Sequence, residues 1–256
     1  MKRVEIDINC DMGESYGRFT IGNDALLFPY ITSCNIACGF HGGDPLHIEH
    51  TLKKALEHDV RIGAHPSYPD LMGFGRRKIT MGKAELKAII KYQIAALKGM
   101  TESLGGQLRY VKPHGALYNE AVRSEAEALT VIEAVREIDP GLALMGLAGS
   151  RLENLAVQCG MDFIPEAFAD RRYASDGGLV PRSEENPVIT DPDMAVKQAM
   201  DIILHQKADT LYGETISVKA RSICIHGDNE AALIILKTLN QHLEKNHISK
   251  RKFIAL

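Results

Sequence analysis

The first strand-like segment of the chain alternates regularly between apolar and polar residues. Positions 4, 6, 8 and 10 are apolar, whereas positions 5, 7, 9 and 11 carry acidic or amide side chains. Successive side chains of a strand point to opposite faces, so this pattern predicts a strand with one apolar and one polar face. The polar face ends in Asp11-Met-Gly-Glu14, where a Gly-rich loop begins.

At least four later apolar runs end in the same way, with His, Asp or Asn followed by Gly or Pro. They read Asn35-Ile-Ala-Cys-Gly-Phe-His41, Gly63-Ala-His65-Pro66, Lys112-Pro113-His114-Gly115 and Ile225-His226-Gly227-Asp228. Polar groups that collect at the carboxyl ends of successive parallel strands are typical of an active site on an α/β barrel.

Segments with apolar residues at helical spacing separate these strands. Helix starts are predicted at Asp44-Pro45, near 82, at the Ser124-x-x-Glu127 and Ser150-x-x-Glu153 capping boxes, at Asp191-Pro192 and near Asp228. Strands alternating with helices indicate a parallel sheet. About seven such units predict one α/β domain over 1–256, an irregular TIM-like (β/α) barrel. An open doubly wound sheet is the alternative.

Composition narrows the range of functions. The chain has 256 residues, 45% of them hydrophobic, and a net charge of −3, so no basic surface favours nucleic acid. The start is too polar for a signal peptide and no apolar run is long enough for a membrane span, so we expect a cytoplasmic protein. The basic tail from Lys245 is expected to be loosely held, although Phe253 and Ile254 could dock.

The candidate functional groups are the polar residues near the strand ends and the basic residues beside them. They are Asp7, Asn9, Asp11, Glu14, Asn35, His41, His65, Arg76, Arg77, Lys112, His114, Asp170, Arg171, His226 and Asp228. A structural hydrogen bond is as good an interpretation as catalysis for any single strand-end His. For Asp44 and Asp228, helix capping alone is the favoured interpretation.

A metal site is one open interpretation of these groups. A carboxylate with two His is a common hydrolytic ligand set, which Asp11 could complete with two of His41, His65 and His114. His47 and His50 are spaced i, i+3, but their otherwise polar surroundings favour a solvated helix face. The chain has no P-loop, dinucleotide fingerprint or nucleophile elbow.

Long motifs in a fixed order resemble the LamB/YcsF family over nearly the whole chain. The matching segments are Asp7-Ile-Asn-Cys-Asp-Met-Gly-Glu14, Asn35-Ile-Ala-Cys-Gly-Phe-His-Gly-Gly-Asp44, Gly63-Ala-His-Pro-Ser-Tyr-Pro-Asp70, Gly73-Phe-Gly-Arg-Arg77, Lys112-Pro-His-Gly-Ala-Leu-Tyr-Asn119, Glu166-Ala-Phe-Ala-Asp-Arg171 and His226-Gly-Asp228. The resemblance implies a barrel related to the glycoside hydrolase/deacetylase group.

The resemblance also implies a reaction, in which the lactam of 5-oxoproline is cleaved to glutamate with ATP and Mg²⁺. The chain would be the A subunit of an ATP-dependent 5-oxoprolinase, working with partner subunits B and C. Within that reaction we expect Asp11 or His114 to be the general base, with Glu14 and Asp170 in the same catalytic group. The remaining candidates would bind substrate, the basic ones through carboxylate or phosphate oxygens.

Two other functions fit the same residues. The first is a stand-alone metal-dependent deacetylase or amidohydrolase, which would turn over without ATP. The second is a non-catalytic subunit that binds a lactam or a sugar and regulates its use.

Overall fold

Parallel strands alternate with helices and close into a ring in a computed structural model, which describes residues 4–253. In chain order the strands are β1 (Glu5–Met12), β2 (Ser33–Ala37), β3 (Arg61–His65), β4 (Leu108–Val111), β5 (Ala143–Leu147), β6 (Phe163–Phe168), β7 (Lys207–Asp209), β8 (Thr215–Ser217), β9 (Ser222–His226) and β10 (Ser249–Lys250). Strands β1 to β6 and β9 pair in that order, and β9 pairs back onto β1. The predicted TIM-like barrel is therefore confirmed, and the open sheet is excluded.

The helices cover the outside of the barrel through their apolar faces. They are α1 (Asp24–Leu27), α2 (Pro45–Glu57), α3 (Lys83–Ser103), α4 (Gly115–Arg123), α5 (Glu125–Ile138), α6 (Arg151–Gln158), α7 (Pro192–His205) and α8 (Ala232–Lys245). Within residues 4–253, none of them combines the length and apolar character that crossing a membrane requires.

The predicted helix caps are only partly confirmed. The Asp44 carboxylate accepts hydrogen bonds from the backbone N–H groups of Leu46 and His47, as the Asp-Pro start of α2 predicts. The prediction for Asp228 is wrong, because α8 starts four residues later and Asp228 instead pairs with Arg76. The Ser124 hydroxyl donates to the carboxylate of the predicted capping-box Glu instead of accepting from the backbone.

The polar face of β1 points into the barrel, and its apolar face packs on the helices. Asn9 Nδ2 donates to Glu166 Oε1 (2.9 Å) and to Ser222 Oγ (2.8 Å), across the barrel interior. Asn35 Nδ2 donates to both Asn9 Oδ1 and Asp11 Oδ1, at 2.7 Å in each case. The amide groups are thus fully hydrogen-bonded where they are fully buried, as a polar barrel interior requires.

Gly63 makes room for Tyr110, one of the largest fully buried side chains. A Cβ at this position would lie 2.3 Å from the ring of Tyr110 on the neighbouring strand. The Tyr110 hydroxyl reaches across and donates to Asn35 Oδ1 at 2.7 Å. Tyr110 packs with Ala143, Met145, Ile164 and Phe253 in a small core inside the barrel. These side chains fill the interior below the polar layer.

Several elements differ from the sequence prediction, among them the short helix α1, which has no predicted counterpart. Helix α4 was not predicted, because it starts at a Gly directly after the strand-end His and spans only nine residues. The antiparallel hairpin of β7 and β8 was also missed. The tail is not loose: β10 pairs with β1, and Phe253 is buried under the Arg221 guanidinium at 4.1 Å. Ile254 lies outside the described residues.

Candidate active site

A cavity of about 270 Å³ opens at the carboxyl ends of the barrel strands. Its floor is formed by Asp11 and His65 at the ends of β1 and β3, by Glu14 just after β1, and by Lys112 and His114 just after β4. Its walls come from the loops after β3, β6 and β9. The lining polar residues include Asp11, Glu14, His65, Arg76, Lys112, His114, Tyr118, Arg171, Arg182, His226 and Asp228.

Lys112 is the central cation of the floor, and only 2% of its side chain is exposed. Its Nζ lies 2.9 Å from Asp11 Oδ1 and 2.8 Å from Glu166 Oε1, and 5.3 Å above the Phe168 ring. Burial alone would lower the pKa of Lys112, but the nearby acidic groups, Asp11 foremost, raise it well above its ordinary value. The ammonium therefore stays charged and fixes both carboxylates.

Asp11 presents one oxygen to Lys112 and the other to His65. Oδ1 accepts from Lys112 Nζ and from Asn35 Nδ2, while Oδ2 lies 3.4 Å from His65 Nε2. Burial would raise the pKa of Asp11, but His65 and Lys112 together lower it well below its ordinary value. Asp11 is therefore ionised throughout the physiological range.

His65 and His114 face one another across 2.9 Å, from His65 Nε2 to His114 Nδ1. The other nitrogen of each ring contacts a backbone carbonyl: His65 Nδ1 lies 2.7 Å from the Lys112 oxygen, and His114 Nε2 lies 2.9 Å from the Phe74 oxygen. A carbonyl oxygen can only accept, so each of these outer nitrogens carries a hydrogen. In neutral rings the two facing nitrogens are then both bare lone pairs.

His41 and Glu14 complete this group from the loops after β2 and β1. The His41 ring stacks on His114 with 3.7 Å between centroids, and His41 Nε2 lies 3.1 Å from Glu14 Oε1. Burial raises the pKa of Glu14 well above its ordinary value, and the charges of Asp11 and Asp228 add to the effect. Burial likewise lowers the pKa of His41 and of His114.

Gly75 allows the loop after β3 to close over the imidazoles. Its backbone adopts φ +63°, and a Cβ there would lie 2.8 Å from the His114 ring and 2.9 Å from His41 Cβ. Only glycine fits both the left-handed backbone and the close approach. The same loop supplies the carbonyl of Phe74 that orients His114.

A second carboxylate–imidazole pair lies on the opposite wall. Asp170 Oδ1 accepts from His226 Nδ1 at 2.8 Å, and Asp170 Oδ2 accepts from the His226 backbone N–H at 3.1 Å. The other ring nitrogen, His226 Nε2, lies 4.0 Å from Asp11 Oδ2. Asp170 itself is fully buried behind the wall, so it positions His226.

The adjacent arginines of the Gly73–Arg77 motif have separate surroundings. Arg76 pairs with Asp228 and lies 4.8 Å above the Phe74 ring on the cavity wall. Arg77 pairs with Asp70 away from the cavity, and 66% of its side chain is exposed.

Arg171 is the buried cation of the loop after β6. It donates to the carbonyl oxygens of Val180 (2.6 Å) and Pro187 (3.2 Å). Burial and the neighbouring Arg182 charge lower the pKa of Arg171 to about 10, so it remains a cation at neutral pH.

The structure brings together nine of the sequence-predicted site residues on the cavity surface. They are Asp11, Glu14, His65, Arg76, Lys112, His114, Arg171, His226 and Asp228. Six others do not line it: Asn9, Asn35, His41 and Asp170 lie directly behind the surface, Arg77 points away, and Asp7 lies near the amino end of the barrel.

The position of Asp7 corrects the expectation that it joins the other acidic residues at the mouth. It precedes Asp11 by four strand residues, which corresponds to roughly 13 Å along the barrel. Its carboxylate accepts hydrogen bonds from Thr32 and from Ser33 and Ser222, the first residues of β2 and β9. The alternating pattern predicts the face of β1 on which Asp7 lies, but not its position along the barrel axis.

Sequence reasoning did not assign roles to Glu166, Phe74, Tyr118 or Arg182. Glu166 is fully buried and binds Lys112, Asn9 and the Tyr118 hydroxyl. A lone acidic residue within the apolar run 163–168 is the signal that could have found it. Arg182 lies in a long irregular loop, where the sequence pattern gives no such signal.

The floor also contains a cluster of buried residues that could bind a metal. One ligand atom from each of Glu14, His41, His65 and His114 lies within 4.8 Å of the others. The open interpretation from the sequence was Asp11 with two of His41, His65 and His114, whereas the carboxylate within this cluster is that of Glu14. Asp11 lies beside the cluster, with its Oδ2 next to His65.

A family model, a named relative and a solved structure each match nearly the full length of this chain. The model of the LamB/YcsF family matches residues 6–256. A protein of Alkaliphilus metalliredigens, named as the A subunit of 5-oxoprolinase, is 47% identical over 98% of each chain. The crystal structure of a lactam utilization protein from Thermus thermophilus matches with a TM-score of 0.90 and 40% identity, over 97% of this chain and all of that one.

A more distant likeness concerns the fold alone. A family 4 carbohydrate esterase from Streptomyces lividans matches with a TM-score of 0.53 and 10% identity, over 98% of this chain and 93% of that one. The fold of this chain is therefore shared with that of a carbohydrate esterase.

Proposed function

The chain belongs to the LamB/YcsF family, and from that premise we propose that it is the A subunit of an ATP-dependent 5-oxoprolinase. The complex would cleave the lactam of 5-oxo-L-proline to L-glutamate while hydrolysing ATP. The observation that supports this most is the floor of the cavity, where Asp11, Glu14, His65 and His114 meet. Relatives that carry the name of the 5-oxoprolinase A subunit support the same choice of substrate.

Recognition of the substrate depends on the basic wall of the cavity. 5-Oxoproline is a small ring with one carboxylate, and a cavity of about 270 Å³ has room for it. Guanidinium groups bind carboxylate and phosphate oxygens through paired hydrogen bonds. Arg76, Arg171 and Arg182 line this wall and supply that function in the proposal.

Hydrolysis of an activated lactam requires a base for water and an acid for the leaving nitrogen. Water adds to the carbonyl carbon and gives its proton to Asp11 Oδ2, with His114 in support. When the carbon–nitrogen bond breaks, His226 Nε2 delivers a proton to the leaving nitrogen. Asp170 holds His226 in the orientation that this step needs. From an O-phosphorylated lactam this first water leaves an acyl phosphate, and a second water hydrolyses it to glutamate and phosphate.

Activation of the lactam is assigned to the partners. A lactam carbonyl is a poor electrophile, and phosphorylation of its oxygen by ATP with Mg²⁺ turns that oxygen into a leaving group. The chain has none of the nucleotide-binding motifs sought in its sequence. In the proposal, residues 1–256 act as one cytoplasmic domain that binds substrate and positions water, while subunits B and C use ATP.

The test is to follow glutamate and ADP with this chain alone, with subunits B and C alone, and with all three. We expect stoichiometric turnover only in the complete mixture. Turnover by this chain alone with ATP would refute the division of labour. ATP-independent amide hydrolysis by this chain would instead favour the amidohydrolase alternative, and full activity of B and C without it would favour a regulatory role.

Two adjacent residues offer a matched pair for testing the binding wall. Arg76→Gln removes a guanidinium that lines the cavity, so we expect KM for 5-oxoproline to rise about tenfold or more, the loss of roughly one charge-assisted hydrogen bond. Arg77→Gln removes a cation that pairs outside the cavity and should leave KM within about twofold. Equal effects of the two substitutions would contradict the assignment of the wall.

A further inference from the structure

The unusual feature of the cavity floor is a pair of imidazole nitrogens that face each other and, when both rings are neutral, have no hydrogen to share. His65 Nε2 and His114 Nδ1 are 2.9 Å apart, and both rings have committed their other nitrogen to a backbone carbonyl. Two lone pairs at this distance repel each other. The arrangement is stable only if a positive species lies between the rings or close beside them.

The neighbouring carboxylates also require a positive species at this position. Glu14 Oε1 lies 3.5 Å from His114 Nδ1, and Asp11 Oδ2 lies 3.4 Å from His65 Nε2. Neither contact has a hydrogen to share when the rings are neutral and the carboxylates are ionised. Lys112 pairs with Asp11 and Glu166, and Glu14 is buried beside His114, so these three carboxylates and one ammonium carry two net negative charges when all are ionised. A divalent cation balances that charge.

We propose that a divalent transition-metal ion such as Zn²⁺ or Co²⁺ binds His65 Nε2, His114 Nδ1 and the Glu14 carboxylate. Imidazole suits these ions, and histidines that bind metals usually donate their second nitrogen to a carbonyl or carboxylate, as both do here. His41 Nε2 lies within hydrogen-bond distance of Glu14 Oε1 and holds that carboxylate in place.

The observed spacing suits such an ion with a small adjustment. Ligands about 2.0–2.1 Å from a tetrahedral Zn²⁺ are separated by roughly 3.3–3.4 Å. The distance from Glu14 to His114 is already 3.5 Å, and the two imidazole nitrogens, now 2.9 Å apart, need to separate by about half an ångström. Three protein ligands leave a fourth position toward the cavity, where the ion would polarise a carbonyl or lower the pKa of water.

Metal binding is measured without any reference to activity, so its outcome is independent of the proposed reaction. The full chain is treated with a chelator, dialysed, and titrated with Co²⁺ alone while visible absorption and bound cobalt are followed. We expect one equivalent to bind. His65→Gln and His114→Gln should each weaken binding by about 100-fold or more, since even residues behind a ligand affect affinity by 10- to 100-fold.

A matched control is the double variant His47→Gln/His50→Gln, which removes two imidazoles from the outer face of α2 and should leave binding unchanged. A wild-type chain that binds no Co²⁺ would overturn the proposal, because a proton shared by His65 and His114 would then satisfy the same atoms. An equal loss of Co²⁺ binding in the His47→Gln/His50→Gln variant would also overturn the proposal. If the single variants do not fold, anomalous diffraction from cobalt-soaked wild-type crystals decides: a peak beside His65 and His114 supports the site, and its absence refutes it.

Discussion

Lys112→Met is the substitution with the largest expected effect on stability. Methionine keeps an unbranched side chain of similar volume but removes the ammonium group that binds Asp11 at 2.9 Å and Glu166 at 2.8 Å. Hydrogen bonds to charged groups contribute about 1.5–3 kcal/mol each. Removing one partner from a buried ion pair costs about 3–5 kcal/mol, because the other charge is left unpaired. We therefore expect a loss of about 3–5 kcal/mol, a large fraction of the 5–15 kcal/mol typical of a folded domain.

Urea unfolding at pH 7, followed by circular dichroism, measures this loss as a lower midpoint at an unchanged slope. The double variant Lys112→Met/Glu166→Gln should recover part of it, because glutamine needs no counter-charge. Lys78→Met, which breaks an exposed pair with Glu120, should change the stability little. A single-variant loss below about 1 kcal/mol would refute the reasoning. A double variant whose loss of stability equals the sum of the losses of the two single variants would also refute it.

Three further predictions concern the scaffold. Gly63→Ala should lower the free energy of unfolding by about 1–3 kcal/mol or more, because the new methyl would lie 2.3 Å from the Tyr110 ring. Gly99→Ala, at an exposed position of α3, should instead raise it by about 0.5–1 kcal/mol. Thermal unfolding that ranks the two variants the other way would contradict the packing around Gly63. Asp44→Ala should cost about 1 kcal/mol at pH 7 in urea unfolding through loss of the α2 cap. Hydrogen bonds from backbone N–H groups, that of Gly17 first, hold the pKa of Asp44 below its ordinary value, so this cost should shrink as the pH falls through about 4, and a constant cost would count against it. Burial raises the pKa of Asp24 to about 6, so the folded state binds that proton more tightly than the unfolded state does. The wild type should therefore lose stability as the pH rises from about 4 to 6. Asp24→Asn should flatten the plot of unfolding free energy against pH in this range, and an unchanged slope would exclude Asp24 as its source.

Much of the architecture could be predicted because it follows from local patterns. The alternation in β1 reports which side chains share a face, and Asp44-Pro45 specifies a helix start through hydrogen bonds within three residues. The strand-end histidines indicated one common mouth because parallel strands all end on the same side of a barrel. These inferences need no knowledge of which strands are neighbours.

The details of the site depend on long-range contacts that no local pattern contains. Arg76 and Arg77 are adjacent in the sequence, yet only the fold sends one to Asp228, 152 residues away, and the other to Asp70. The facing lone pairs of His65 and His114 likewise depend on two carbonyls from other segments. Asp7 was assigned to the mouth because periodicity does not report depth along a strand.

The closure of the barrel has a consequence for how the protein is made. Asn9 of β1 and Ser222 of β9 bond to each other although 213 positions separate them, and β10 follows later still. At about 5–20 residues per second, a ribosome needs roughly 10–40 s to make the intervening chain. During that time one edge of β1 has no strand to pair with, which in general invites association with other nascent chains. The acidic groups at positions 7 and 11 make this edge a poor template for such pairing, so residues that later lie inside the barrel also protect the unfinished protein.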